Sequence, residues 1–286
     1  MTTALIRAAE SRTAALRRGF SAPSLLNALA EKRGIVRCEA ISYASGPRRR
    51  LDVYRPVDAR NRPVVVFFYG GGWESGERAM YRFVGASLAA AGIVCVIPDY
   101  RVWLAVRFPG FIEDGARALS WARAQAASHG GDPGRLFLMG HSAGAHIATM
   151  LALDPEYLDA VGMDAERDLC GVIGLSGPYD FLPLRSARLK EIFGPSEDWP
   201  QTQPINFVAR GAAPMLLATG EADQVVLPRN SMRLASRLRS VGTEVNMRLY
   251  PGVGHAPVVG AFASVLRFVA PVRRDVLSFI EARGGS

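Results

Sequence analysis

The chain has 286 residues, 49% of them hydrophobic, enough for a sizeable core in one large domain or two small ones. No apolar run reaches the roughly 18 residues of a membrane-spanning helix, so no membrane partner is expected. The net charge of +8 could suggest nucleic acid, but only Lys32 and Lys190 are lysine, the arginines are spread along the chain, and no aromatic-interleaved basic stripe occurs, so no nucleic-acid partner is expected either.

Met1 to Ala30 carries Arg7, Glu10, Arg12, Arg17 and Arg18 and has no apolar core of about 7–15 residues, which argues against a secretory signal. Its Ala, Leu and Arg content predicts an N-terminal helical segment, within 1–35, lying on the domain. A cytoplasmic protein is expected. The three cysteines, Cys38, Cys95 and Cys170, fit a reducing compartment, and Cys95 and Cys170 read as small buried hydrophobes. No pair has metal-ligand spacing and the histidines are scattered, so no metal is expected.

Val36–Tyr43 and Leu51–Tyr54 read as a hairpin around Gly46-Pro47. Pro63–Tyr69 is apolar after its proline, as a strand covered on both faces should be, and ends in Gly70-Gly71-Gly72-Trp73. Then come a helix over Glu77–Ala91, a strand over Ile93–Asp99, a helix over Pro109–Ser128 and a turn at Gly130–Gly134. Arg135–Met139 reads as a buried strand and His146–Leu153 as a helix. Cys170–Ser176 is a sixth strand. Residues 177–213 form a long, Pro-containing, cap-like excursion with one helix near Pro183–Phe193. Pro214–Gly220 is a strand, Leu227–Val241 a helix rich in exposed Arg, Val245–Tyr250 a strand near a sheet edge, and Val272–Arg283 a closing helix. Strands alternating with helices of this length predict an α/β fold: a mostly parallel eight-stranded sheet, helices on both faces, a small cap, and a single domain over 1–286.

Between strand and helix stands Gly140-His141-Ser142-Ala143-Gly144. A serine on such a turn is forced into a strained backbone conformation, with its hydroxyl pushed above the sheet edge at a helix start. The competing reading is an ordinary helix N-cap. A serine hydroxyl needs a base, and the base an orienting carboxylate. Of the four histidines, His141 lies inside the elbow, His146 reads as buried structure on the following helix, and His129 lies in a turn. His255, in Pro251-Gly252-Val253-Gly254-His255 after a strand end, is the candidate base. Asp223, after the last long buried strand, is the candidate acid, with Glu221 as runner-up and Asp180 and Asp198 weaker. The oxyanion donors expected are the amide of Ala143 and those of the Gly70-Gly71-Gly72 run. Trp73, Trp103, Phe108, Phe181 and Trp199 are candidate pocket walls.

These motifs, with Pro98-Asp99-Tyr100-Arg101, Phe108-Pro109, Glu113-Asp114, Trp121 and Gly131-Asp132-Pro133, resemble the α/β-hydrolase superfamily over roughly residues 40–283. More narrowly, they are similar to the hormone-sensitive-lipase-like and feruloyl/acetyl-xylan-type carboxylesterases of bacteria. The resemblance implies hydrolysis of a small acyl ester without cofactor or metal. It implies a triad of Ser142, Asp223 and His255, oxyanion donors Gly71, Gly72 and Ala143, and a bracing role for Asp99-Tyr100-Arg101. Two departures bear on the site: Tyr69 stands where the family usually has His, and Val102-Trp103-Leu104-Ala105 where it usually has Leu-Ala-Pro-Glu. The kynurenine-formamidase group shares the glycine run and triad, so an arylformamidase stays open, as does a lactonase. A non-catalytic hydrolase-fold binding protein is the alternative of another class, disfavoured because both Ser142 and His255 are present. A homo-oligomer is left open.

Overall fold

The computed structural model describes residues 22–283. Its centre is one eight-stranded sheet in the order β1-β2-β4-β3-β5-β6-β7-β8. The strands are β1 (Ile35–Ser42), β2 (Arg50–Pro56), β3 (Arg62–Phe68), β4 (Val94–Pro98), β5 (Gly131–His141), β6 (Gly171–Leu175), β7 (Met215–Gly220) and β8 (Val245–Tyr250). β1 and β2 form the expected hairpin, and β2 joins β4 antiparallel; the remaining pairs are parallel.

Val64 to Phe68 are each 0% exposed. Successive strand side chains point to opposite faces, so both faces of β3 are covered. The helices are α1 (Ala22–Ala28), α2 (Arg82–Ala89), α3 (Gly110–Gln125), α4 (Ala143–Leu153), the short α5 (Pro155–Asp159), α6 (Ala165–Asp168) and α7 (Ala187–Phe193), then α8 (Arg229–Ser240), α9 (His255–Gly260) and α10 (Val272–Glu281), and α2, α3, α4, α8, α9 and α10 pack on the strands. All of α4 is buried, because it packs on β5, β6 and α3 at once. The part of the expected N-terminal helical segment at residues 1–21 lies outside the described residues.

Three expectations need correction. The Gly130–Gly134 turn is built into the start of β5: Gly131 pairs with Arg62, the register then shifts, and Asp132 Oδ1 accepts from the Gly134 amide at 2.8 Å. Cys170 is only half-buried, its Sγ 3.3 Å from the Gly134 carbonyl oxygen. The segment after Gly254 is a short helix, α9, that begins at His255 itself.

The parallel strands all end at one rim of the sheet, where chemistry gathers in such folds. Phe68 leads there into the glycine run, Pro98 into Asp99, His141 into Ser142, Gly220 into Asp223, and Tyr250 into the loop before His255.

Candidate active site

Ser142 connects β5 to α4 with φ 56° and ψ −124°, a backbone state that costs a non-glycine residue on the order of 1–3 kcal/mol. The flanking glycines make the turn possible. A Cβ on Gly140 would collide with the carbonyl oxygen of Gly144, and one on Gly144 with the carbonyl oxygen of Phe68 on β3. The amide of Ser142 donates to the Leu175 carbonyl at 2.9 Å, and its carbonyl accepts from Ala145 and His146. Its side chain makes no capping hydrogen bond, which removes the N-cap reading. Among the described residues, Ser142 Oγ has no hydrogen-bond partner.

The loops after β7 and β8 are stitched together by their backbones. Glu221 donates its amide to the Tyr250 carbonyl at 3.0 Å, and Ala222 to that of Val253 at 3.0 Å. Gly220 permits this approach, because a Cβ there would meet the Val253 carbonyl. The stitching brings Asp223 Oδ2 to 2.8 Å from His255 Nδ1. The other oxygen, Oδ1, accepts from the amides of Val225 at 3.0 Å and Val226 at 2.9 Å. With Asp223 0% exposed, both carboxylate oxygens are thereby partnered. Since the carboxylate accepts, Nδ1 carries the proton and Nε2 is free to act as a base.

His141 ties this pair to the elbow. Its ring centroid lies 4.7 Å from that of His255, and its Nε2 donates to the His255 carbonyl oxygen at 3.2 Å. Burial, and then the neighbouring His255, lower its pKa to about 3, so it stays neutral and serves as a fixed donor.

Gly70 lies against the nucleophile turn: a Cβ on it would sit 3.0 Å from Ser142 Cβ. Beyond it, the Gly71 carbonyl accepts from the amides of Glu74 at 3.2 Å and Ser75 at 3.0 Å and from Ser75 Oγ at 2.9 Å. In a trans peptide the N–H points opposite to the C=O. Pinning the Gly71 carbonyl therefore turns the Gly72 amide the other way. Gly71 and Gly72 adopt φ of +147° and +61°, and among the described residues their amides have no acceptor. Ala143, first residue of α4, has no carbonyl within its helix to bond.

Beneath this run, Tyr69 donates its hydroxyl to Asp99 Oδ1 at 2.8 Å and accepts from Arg48 Nη2 at 3.1 Å. Burial holds the phenol pKa well above its ordinary value, so the donor stays protonated. Tyr100 donates its hydroxyl to the Tyr69 carbonyl at 2.7 Å, and the Arg78 amide and guanidinium complete the shell of Asp99. Arg101 clamps Asp114 through Nε at 2.7 Å and Nη2 at 3.0 Å. Tyr69 thus braces the strand end that carries the glycine run.

Ser142, Gly72 and Ala143 line a cleft of about 450 Å³. A larger cavity of about 680 Å³, bounded by Phe108, Tyr157 and Asp198 among others, does not include Ser142, so position at the strand ends rather than size marks the site. Among the described residues, no group of three or more His, Cys, Asp or Glu side chains could hold a metal ion. No helix among them is long and apolar enough to cross a membrane.

A family model described as BD-FAE matches residues 51–238. The chain belongs to the BD-FAE family. It is 32% identical over 253 residues to esterase LipC of Mycobacterium tuberculosis, an alignment covering 82% of this chain and 62% of that protein. The chain spans about three fifths of the length of the curated relatives it matches. A truncated carbohydrate esterase from gut microbiota superposes with a TM-score of 0.79 at 22% identity, covering 89% of this chain and 99% of that one. The apo form of Thermogutta terrifontis esterase 2 superposes with a TM-score of 0.67 at 26% identity, covering 88% and 93%. The fold is that of the α/β-hydrolases.

In this BD-FAE member, Trp73 and Phe181 line the Ser142 cleft, with their rings stacked at 5.8 Å. Trp103, Phe108 and Trp199 do not. Trp103 lies under the Arg188 guanidinium at 3.6 Å, Phe108 faces the larger cavity, and Trp199 donates Nε1 to the Gly194 carbonyl at 3.0 Å. Glu221 is exposed, Asp198 lines the larger cavity, and Asp180 is paired with Arg233 at 2.8 Å. His146 is buried, its Nε2 donating to the Thr202 carbonyl at 2.8 Å, and His129 lies beside Trp121. Asn230 escaped the sequence reading: its Oδ1 accepts from the amides of Tyr179 at 3.1 Å and Asp180 at 3.0 Å, fixing the cleft wall to the start of α8. The only signal for it was an Asn two residues after Pro228 at a helix start.

Proposed function

We propose that this chain is a serine carboxylesterase that hydrolyses small acyl esters, with Ser142 as nucleophile, His255 as general base and acid, and Asp223 as the group that orients it. The observation that carries this reading is the 2.8 Å hydrogen bond from His255 Nδ1 to a fully buried Asp223, on the rim that presents a strained, uncapped Ser142.

Ser142 Oγ attacks the ester carbonyl carbon while His255 Nε2 takes its proton, through a hydrogen bond that forms when substrate binds. The amides of Gly71, Gly72 and Ala143 stabilise the oxyanion. His255 then gives its proton to the leaving alkoxide, and the alcohol departs. Water, deprotonated by His255, attacks the acyl carbon, and the acid leaves as Ser142 is regenerated. Asp223 keeps the imidazole in the tautomer that leaves Nε2 free. Free cysteines at positions 38, 95 and 170 are consistent with a reducing compartment such as the cytoplasm.

Hydrolysis of p-nitrophenyl acetate by Ser142→Ala and His255→Ala proteins tests the reading. Turnover in either variant at the wild-type rate eliminates it.

A further inference from the structure

The charge of the reactive cleft is unbalanced. Its lining includes two arginines, Arg185 and Arg229, and one carboxylate, Asp180. Asp180 is already committed to Arg233, whose Nη1 lies 2.8 Å from its Oδ2. Arg188, three residues after Arg185, is also balanced, by Glu74 at 3.1 Å and Glu191 at 3.3 Å. Among the described residues, the guanidinium groups of Arg185 and Arg229 have no hydrogen bond, ion pair or ring partner. Arg229 is the first residue of α8, whose first turn contains no acidic residue. A cation there opposes the helix dipole, so this choice of residue costs helix stability rather than adding to it. Most of the remaining wall is apolar, with Phe181, Leu182, Leu184, Leu189 and Val226, beside the polar Ser186 and Asn230.

We infer that the ester bound in this cleft carries a carboxylate, seated on Arg185 and Arg229 while its apolar body lies on the Phe181–Leu189 wall. The inference rests on the serine-esterase reading and adds to it the class of substrate. A guanidinium matches a carboxylate with two parallel hydrogen bonds, and a monoanion is less costly than a phosphate dianion to bring against an apolar wall. Both arginines are exposed, so the gain is modest and sensitive to salt.

The test uses matched ester pairs with the charge on either side of the scissile bond. On the alcohol side they are 4-acetoxybenzoate and methyl 4-acetoxybenzoate; on the acyl side, monomethyl and dimethyl terephthalate. The readout is the ratio of kcat/KM for the anionic over the neutral ester, which cancels any change in folded fraction. Wild-type protein is expected to show a higher ratio in at least one pair than the Arg185→Ala/Arg229→Ala double variant, by about three- to tenfold, and 0.5 M salt is expected to erode that difference. A ratio that both proteins share in both pairs overturns the inference, while turnover of the neutral esters leaves the esterase reading standing. Absence of turnover with all four esters, together with no labelling of Ser142 by a fluorophosphonate, defeats the esterase reading and this inference with it.

Discussion

The hydroxyl of Tyr69 reaches Asp99 Oδ1 at 2.8 Å, directly below the strand end that continues into Gly70, Gly71 and Gly72. The ring is held between Tyr100 at 4.8 Å and Tyr81 at 5.6 Å. Tyr69→Phe keeps those contacts and removes only the hydroxyl, leaving Arg48 and Asp99 each short of one partner. It is expected to cost about 1–2 kcal/mol in stability and to lower kcat more than it raises KM, because the brace sets loop position rather than substrate affinity. Tyr69→His should recover part of kcat. Thermal melts and steady-state ester hydrolysis check both; wild-type kcat in Tyr69→Phe contradicts the bracing role.

Asp223→Asn isolates the orienting carboxylate. The asparagine oxygen can still accept from Val225 and Val226, so the fold should melt as wild type does. Its amide group can no longer accept from His255 Nδ1, so the imidazole tautomer reverses. A loss of roughly 10²- to 10⁴-fold in kcat is expected. Glu221→Gln, at an exposed position two residues away, should stay within about twofold. Equal losses in the two variants contradict the assignment of the acid.

Gly144→Ala tests the elbow itself. The added methyl meets the Phe68 carbonyl oxygen, a backbone atom of a fully buried strand that cannot step aside. A loss of about 3 kcal/mol or more is expected from this overpacking, read as a lower midpoint in denaturant. An unchanged midpoint contradicts the proposed closeness of α4 and β3.

How far the sequence could be read depended on the range of the interactions involved. Runs such as Val64–Phe68 and Val172–Leu175 announced buried strands because every position in them is apolar. The elbow, the glycine run and the Asp223 and His255 loops were legible because each needs glycine or a short polar residue at a fixed place next to a strand. Pocket walls were legible only in part: Trp73 and Phe181 line the cleft and the other three aromatics do not. Whether Trp103, Phe108 or Trp199 faces the cleft depends on how residues 177–213 pack against α3 and Trp73, and no local pattern encodes that. The helix at His255–Gly260 was hidden by the glycines before it and by Pro257 inside it. Arg185 and Arg229 looked like any surface arginine until the positions of the carboxylates around them were known.

The buried histidines make stability fall in acid. Burial lowers the pKa of His146 to about 4, against about 6.5 in an unfolded chain. Between those values the unfolded chain binds a proton that the native protein excludes. The contribution of neutral His146 is therefore fully present above pH 6.5, declines as pH falls, and levels off below about 4. His146→Gln can still donate to the Thr202 carbonyl. Between pH 7.5 and 4.5 it should lose less stability than wild type, by on the order of 2–3 kcal/mol. Urea titrations at both pH values measure this; parallel losses in the two proteins contradict it.

Peptide mass mapping after exposure to a fluorophosphonate reads the reactive atom directly. The account requires a single covalent adduct on the peptide containing Ser142, absent from Ser142→Ala and formed far more slowly in His255→Ala. No adduct on Ser142 in wild-type protein, or ester turnover that survives in Ser142→Ala, contradicts it.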